Sequence, residues 1–139
     1  MIENYAANSN LKTVALELGG KSPMIVFDDA DVDMAVSLAH TATFLNQGQV
    51  CCAGSRTFVQ EGIYDKFVEA MANKAAAMKV GGCTEENIEQ GPQIDDLQFQ
   101  KVLGYVQKGK DEGATLATGG GRYGPQGYFV QPTVFTGEY

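Results

Sequence analysis

The sequence predicts an α/β domain in which a mostly parallel sheet is flanked by helices. Three observations carry that prediction. Short β-rich apolar runs alternate with longer stretches of helical periodicity, the pattern of strands joined by crossover helices. The 139 residues are the size of one domain, and 44% of them are hydrophobic, enough to bury a core. No internal repeat or linker divides the chain.

Each element has a local reason. The run KTVALEL (12–18) is apolar and β-rich, preceded by Asn8, Ser9 and Asn10, and reads as a buried strand. GGKSP then turns the chain, with Ser22 extended ahead of its proline. MIVF (24–27) is a second short strand. The acidic DDADVD offers carboxylates to cap a helix over 31–45, with Val32, Ala35, Val36, Ala39 and Thr43 at helical spacing. RTFVQ (56–60) is a third strand. A helix over 62–79 places Ile63, Phe67, Ala70, Met71 and Met78 on one stripe. After the loop GGCTEENIEQGPQ, a helix over 95–109 opens at Asp95 or Asp96 and turns Phe99, Val102, Leu103 and Val106 inward. ATLAT (114–118) and YFVQPTVF (128–135) are strands around a Gly-rich loop.

Composition excludes several classes of partner. The net charge of −7 and the scattered basic residues argue against nucleic acid and against an anionic membrane surface. No apolar run approaches the ~20 residues that span a bilayer. MIENYAANSN has neither the basic nor the apolar region of a signal peptide. Three cysteines without a secretion signal read as reduced thiols inside a cell, in the cytoplasm or the mitochondrial matrix.

Most motif matches dissolve on inspection. DDADVD is not an EF-hand loop: counted from Asp29, the glycine position holds Met34 and the bidentate glutamate position holds His40. GGGRYG (119–124) satisfies GxGxxG but leads into a strand rather than a helix, so it reads as a flexible loop. Cys51 and Cys52 are adjacent, Cys83 and His40 are isolated, and no CxxC is present, so no metal or dithiol site is expected. His40 reads as a satisfied structural residue. What remains is NQGQVCCAGSR (46–56), two cysteines bracketed by Gly48 and Gly54 on a connection after a helix. From the residues alone these thiols are either buried structural groups or a nucleophile.

Two longer stretches resemble a known family. LELGGKSP (16–23) resembles the glutamate signature, and FLNQGQVCCAGSR (44–56) the cysteine signature, of the NAD(P)-dependent aldehyde dehydrogenase superfamily. Glu17 and Cys51 are 34 residues apart, as in that family. Similarity continues through EQGPQID, KVLGYVQKGKDEGA and GGGRYGPQGYFVQPTVF, and is nearest to the retinal and acetaldehyde types.

The resemblance implies specific roles. In the register Gly48-Gln49-Val50-Cys51, Cys51 is the nucleophile that forms a thiohemiacetal and then a thioester, and Cys52 is a bystander. Glu17 is the general base for thioester hydrolysis. Leu18 and Gly19 line the nicotinamide side, Gln98 and Lys101 contact the cofactor ribose, and Leu45 and Val50 stand at substrate-binding positions. The implied cofactor is NAD or NADP, the substrate an aldehyde, and the full-length form a homo-oligomer. Residues 1–139 match only part of a family catalytic domain, without the cofactor-binding domain or the C-terminal part. The alternative expectation is a truncated, inactive piece acting as a structural or interaction module.

Overall fold

The computed structural model describes residues 1–137. Four helices and two strand pairs are built in chain order. Helix α1 (Ile2–Ser9) is followed by β1 (Pro23–Val26), α2 (Val32–Phe44), β2 (Arg56–Val59) and α3 (Tyr64–Ala76). Helix α4 (Asp96–Asp111), β3 (Thr115–Thr118) and β4 (Val134–Thr136) complete the order.

Strand β1 pairs with β2 in parallel, Pro23 against Arg56 through Val26 against Val59. The crossover is α2, as a parallel pair requires. Strand β3 pairs with β4 antiparallel, Thr115 against Thr136, with an irregularity between Leu116 and Thr118. The parallel pair and its helices give the α/β architecture, and the second pair adds an antiparallel ribbon.

The starts of α2 and α4 are capped by aspartate. The Asp31 carboxylate accepts from the Met34 N–H at 2.9 Å. The Asp95 carboxylate accepts from the Gln98 N–H at 2.8 Å. Each satisfies one of the orphan donors of a helix N-terminus. The core lies between α2, α3 and the β1/β2 pair: Val26, Val32, Val36, Ala39, Phe44, Phe67, Met71 and Ala75 form one buried cluster. Phe67, almost fully buried, contributes about 1.5–3 kcal/mol from burial alone.

Two strand expectations fail, each for a physical reason. Residues 12–18 form no strand; no described segment pairs with them, and Leu16 and Leu18 are 54% and 70% exposed. The strand expected over 128–135 is confined to its end, because Pro132 has no N–H to give a ladder. Ahead of it only Val130 makes an isolated bridge, to Arg122. The N-terminal stretch, read only as lacking a signal, is helix α1, with no buried residue. The loop at 119–128 is also less free than its glycines suggest. Arg122 donates to the carbonyls of Gly124, Pro125 and Gly127 and stacks over Phe99.

Candidate active site

Helix α2 delivers the chain to the cysteine segment through a turn of left-handed backbone. Asn46 (φ 50°), Gln47 (φ 58°) and Gly48 (φ 73°) follow one another in the region L-residues avoid. Glycine takes this conformation freely and asparagine tolerates it, so Gln47 carries the strain. Two reciprocal bonds close the turn. The Gln49 N–H donates to the Asn46 carbonyl at 3.0 Å, and Asn46 Nδ2 donates to the Gln49 carbonyl at 3.1 Å.

The segment then doubles back. The Ala53 N–H donates to the Val50 carbonyl at 3.1 Å, closing a turn that contains both cysteines. Thr43 Oγ1 donates to the Gly54 carbonyl, and the Gly54 N–H to the Ala42 carbonyl, each at 3.0 Å. Gly54 is therefore a packing glycine against α2, rather than an opening for a ligand. Cys51 and Cys52 are exposed between these two anchors.

The glutamate segment meets this loop through its backbone. Arg56, the first residue of β2, donates from Nε to the Lys21 carbonyl at 3.0 Å. A Cβ on Gly20 would lie 2.7 Å from the Cys51 carbonyl oxygen, so only glycine allows this approach. The result is a cleft of about 390 Å³, with Glu17, Leu18 and Gly19 on one side and Gln49, Val50 and Cys51 on the other. Cys52 is not among its lining residues. The Cys51 N–H donates to no backbone or side-chain acceptor among the described residues.

A second cleft, about 690 Å³, opens beside the first, lined by Asn46, Gln47, Gln49, Gln93, Ile94 and Gln98 among others. Gln93 is 4% exposed and its Oε1 has no hydrogen-bond partner among the described residues. The structure thus brings Glu17, Leu18, Gly19, Val50 and Cys51 to one cleft and Gln98 to its neighbour. Lys101, exposed on α4 three residues past Gln98, and Leu45, also exposed, line neither. Gln49 and Gln93 escaped the sequence reading, because a glutamine in a Gly-rich loop carries no local signal of burial or contact.

His40 departs from expectation. It is buried on α2 against Phe44, ring centroids 5.1 Å apart, and its Nε2 has no partner among the described residues. Burial lowers its pKa from the ordinary 6.5, Lys74 lowers it further, and Glu89 partly opposes both. Among the described residues no cluster of three or more His, Cys, Asp or Glu side chains is placed to hold a metal ion.

Comparison with known proteins agrees with this fold. A model of the Aldehyde dehydrogenase family matches residues 1–138. An aldehyde dehydrogenase of Emericella nidulans is 60% identical over 131 residues, covering 94% of this chain and 26% of its own length. The mitochondrial aldehyde dehydrogenase of Homo sapiens is 58% identical over 135 residues, covering 97% of this chain and 26% of its own. The NAD+ complex of aldehyde dehydrogenase from Bacillus cereus superposes with a TM-score of 0.90 at 45% identity, over 96% of this chain and 27% of that one. The chain thus spans about a quarter of the length of the curated relatives it matches. With its glutamate and cysteine segments meeting at one cleft, the chain belongs to the aldehyde dehydrogenase family.

Proposed function

We propose that this chain is the nucleophile-bearing part of the catalytic domain of an NAD(P)-dependent aldehyde dehydrogenase, which oxidises aldehydes to carboxylic acids. The observation that carries the reading is the shared cleft of Glu17 and Cys51. The Cys51 thiolate attacks the aldehyde carbonyl carbon, forming a C–S bond and leaving an oxyanion. The Cys51 N–H, free of any partner among the described residues, is a donor suited to that oxyanion. The two-electron oxidation that follows is the chemistry that a nicotinamide cofactor, when bound, would supply as hydride acceptor. Cys51 then holds the acyl group as a thioester. Glu17 takes a proton from water, the hydroxyl adds to the thioester carbonyl, and the C–S bond breaks to release the acid and restore the thiolate.

The donor set suits such a cofactor. Side-chain amides of Gln93 and Gln98 border the second cleft, and the Gln93 Oε1, without a partner among the described residues, can accept from a hydroxyl or carboxamide. Leu18 and Gly19 offer it an uncharged wall, and Gln98 a donor toward a ribose; Lys101, outside both clefts, is the second ribose donor only as the family resemblance implies. Val50, in the cleft of Cys51, shapes the approach of the aldehyde; Leu45, outside both clefts, takes that role only as the family resemblance implies; and the complete protein is a homo-oligomer.

A second reading rests on the exposed outer face of the β1/β2 pair, where Ile25 and Phe58 stand opposite one another, 64% and 53% exposed. By this reading these 139 residues alone are a non-catalytic structural or interaction module, and activity belongs to a longer chain.

The test is a complete relative carrying this stretch in place of its own. Cys51→Ser should abolish NADH production from acetaldehyde, by at least about a thousandfold for loss of a covalent nucleophile. Cys52→Ser should retain it. Activity surviving Cys51→Ser, or lost only with Cys52→Ser, would overturn the assignment.

A further inference from the structure

Of the residues lining the two clefts, Gln49 alone is common to both. It stands two positions before Cys51, and its side chain reaches across the fold. Gln49 Oε1 accepts from the Ile94 N–H at 3.1 Å, a contact spanning 45 positions of sequence. Ile94 lies immediately before Asp95, the cap of α4, and α4 carries Gln98 and Lys101. A second amide reinforces the first. In the orientation that satisfies both its ends, the Gln47 side chain accepts from the Gly91 N–H at 3.1 Å and donates to the Asn46 carbonyl at 2.9 Å. A Cβ at Gly91 would crowd that amide at 3.2 Å.

These contacts explain why a left-handed Gln47 persists. A residue held in a disfavoured backbone conformation survives only where its surroundings over-determine it, and such residues gather at functional sites. Here the brace consists of two side-chain carbonyls reading two backbone amides of the segment that opens α4. Neither Gly91 nor Ile94 would otherwise find an acceptor within its own segment.

We propose that Gln49, supported by Gln47, is a positioning residue that locks the Cys51 loop to the start of α4 and so holds the two clefts in register. This inference rests on the proposed function, because the register matters where a nucleophile in one cleft must meet a cofactor held in the other. It goes beyond that reading in assigning to Gln49 a role that neither touches the reacting atoms nor depends on its proximity in sequence to Cys51.

The experiment uses a complete relative carrying this stretch, with Gln49→Leu, which keeps the volume and removes the acceptor, and Gln49→Glu, which keeps an acceptor. Gln49→Leu should lower kcat/KM for aldehyde oxidation by at least about tenfold, since small misplacements of reacting groups cost up to about a hundredfold. Alkylation of Cys51 by iodoacetamide should stay within about threefold, since the thiol itself is untouched. Gln49→Glu should recover most of the oxidation rate. In the 139-residue chain, Gln49→Leu should also speed hydrogen exchange at the Ile94 amide while leaving the Phe99 amide protected.

Oxidation by Gln49→Leu at the parent rate, or unchanged exchange at Ile94, would overturn the proposal. Equal loss of oxidation and of alkylation, without rescue by Gln49→Glu, would also overturn it. An inactive parent chain would instead count against the proposed function, while the exchange measurement would still decide whether Gln49 braces Ile94.

Discussion

Two neighbouring glycines show how much one hydrogen atom decides. Gly20 backs directly on the Cys51 carbonyl, 2.7 Å from where a Cβ would sit, whereas a Cβ on Gly19 would meet nothing within 4 Å. Neither has the left-handed backbone that would itself demand glycine. Gly20→Ala must therefore push a backbone carbonyl aside, a kind of overpacking that costs about 1–3 kcal/mol. Gly19→Ala should change stability by no more than about 0.5 kcal/mol, as expected for an open surface site. Urea unfolding of the two variants beside the parent chain checks the contrast. Equal effects would mean that the glutamate and cysteine segments do not touch as described. Nothing in the sequence distinguishes these two positions; LGGK reads only as a turn.

At the scale of the element, α2 is both a core helix and the carrier of the cysteine loop, and His40 sits between those duties. Lys74 of α3 and Glu89 of the 81–93 loop are the charged groups that act on it, and Lys74 also donates to Ser37 Oγ at 3.0 Å. Burial lowers the pKa of His40 in the folded state, so the unfolded chain binds a proton more readily. Above the ordinary value of 6.5 both states are neutral and the group contributes no pH dependence. As pH falls through 6.5 the unfolded state is protonated first, and the fold loses stability until the lowered folded value is passed. Chemical unfolding between pH 7.5 and 5 should show this acid loss in the parent chain and a flatter profile in His40→Gln. An identical slope in both would refute the role of His40.

Elements with local signals were legible in the sequence, and those defined by distant partners were not. The aspartate caps at Asp31 and Asp95 and the stripe through Phe67 and Met71 predicted α2, α4 and α3 nearly to their ends. The apolar run at 12–18 misled because β-propensity cannot supply a neighbouring strand. The α1 stretch was passed over because it buries nothing and has no side-chain cap. At the site, Glu17 and Cys51 stood out through their motifs, and both line one cleft. Lys101 and Leu45, taken from the same resemblance, lie outside both clefts because their positions on α4 and after α2 turn them to solvent. The Gln49 brace was invisible because its partner is a main-chain amide, which every residue but proline carries.

At the scale of the whole molecule, the chain places a thiol and a carboxylate at one cleft but leaves much apolar surface bare. Both β1 and β2 are edge strands of a two-stranded sheet, and such pairs are marginal without further cover. No described helix is long and apolar enough to cross a membrane. The chain spans about a quarter of its curated relatives, so its chemistry is best tested inside a complete chain. The central claim is a division of labour, with Cys51 forming the covalent intermediate and Glu17 acting afterwards to release it. Rapid-quench kinetics of Glu17→Gln in a complete relative carrying this stretch tests it most directly, with mass analysis of Cys51 at each time point. The account predicts a burst of NADH approaching one per site, followed by turnover slowed at least about a hundredfold for loss of a general base, with the acyl group accumulating on Cys51. A burst diminished in proportion to the steady-state rate, with no acyl-Cys51 detected, would contradict it.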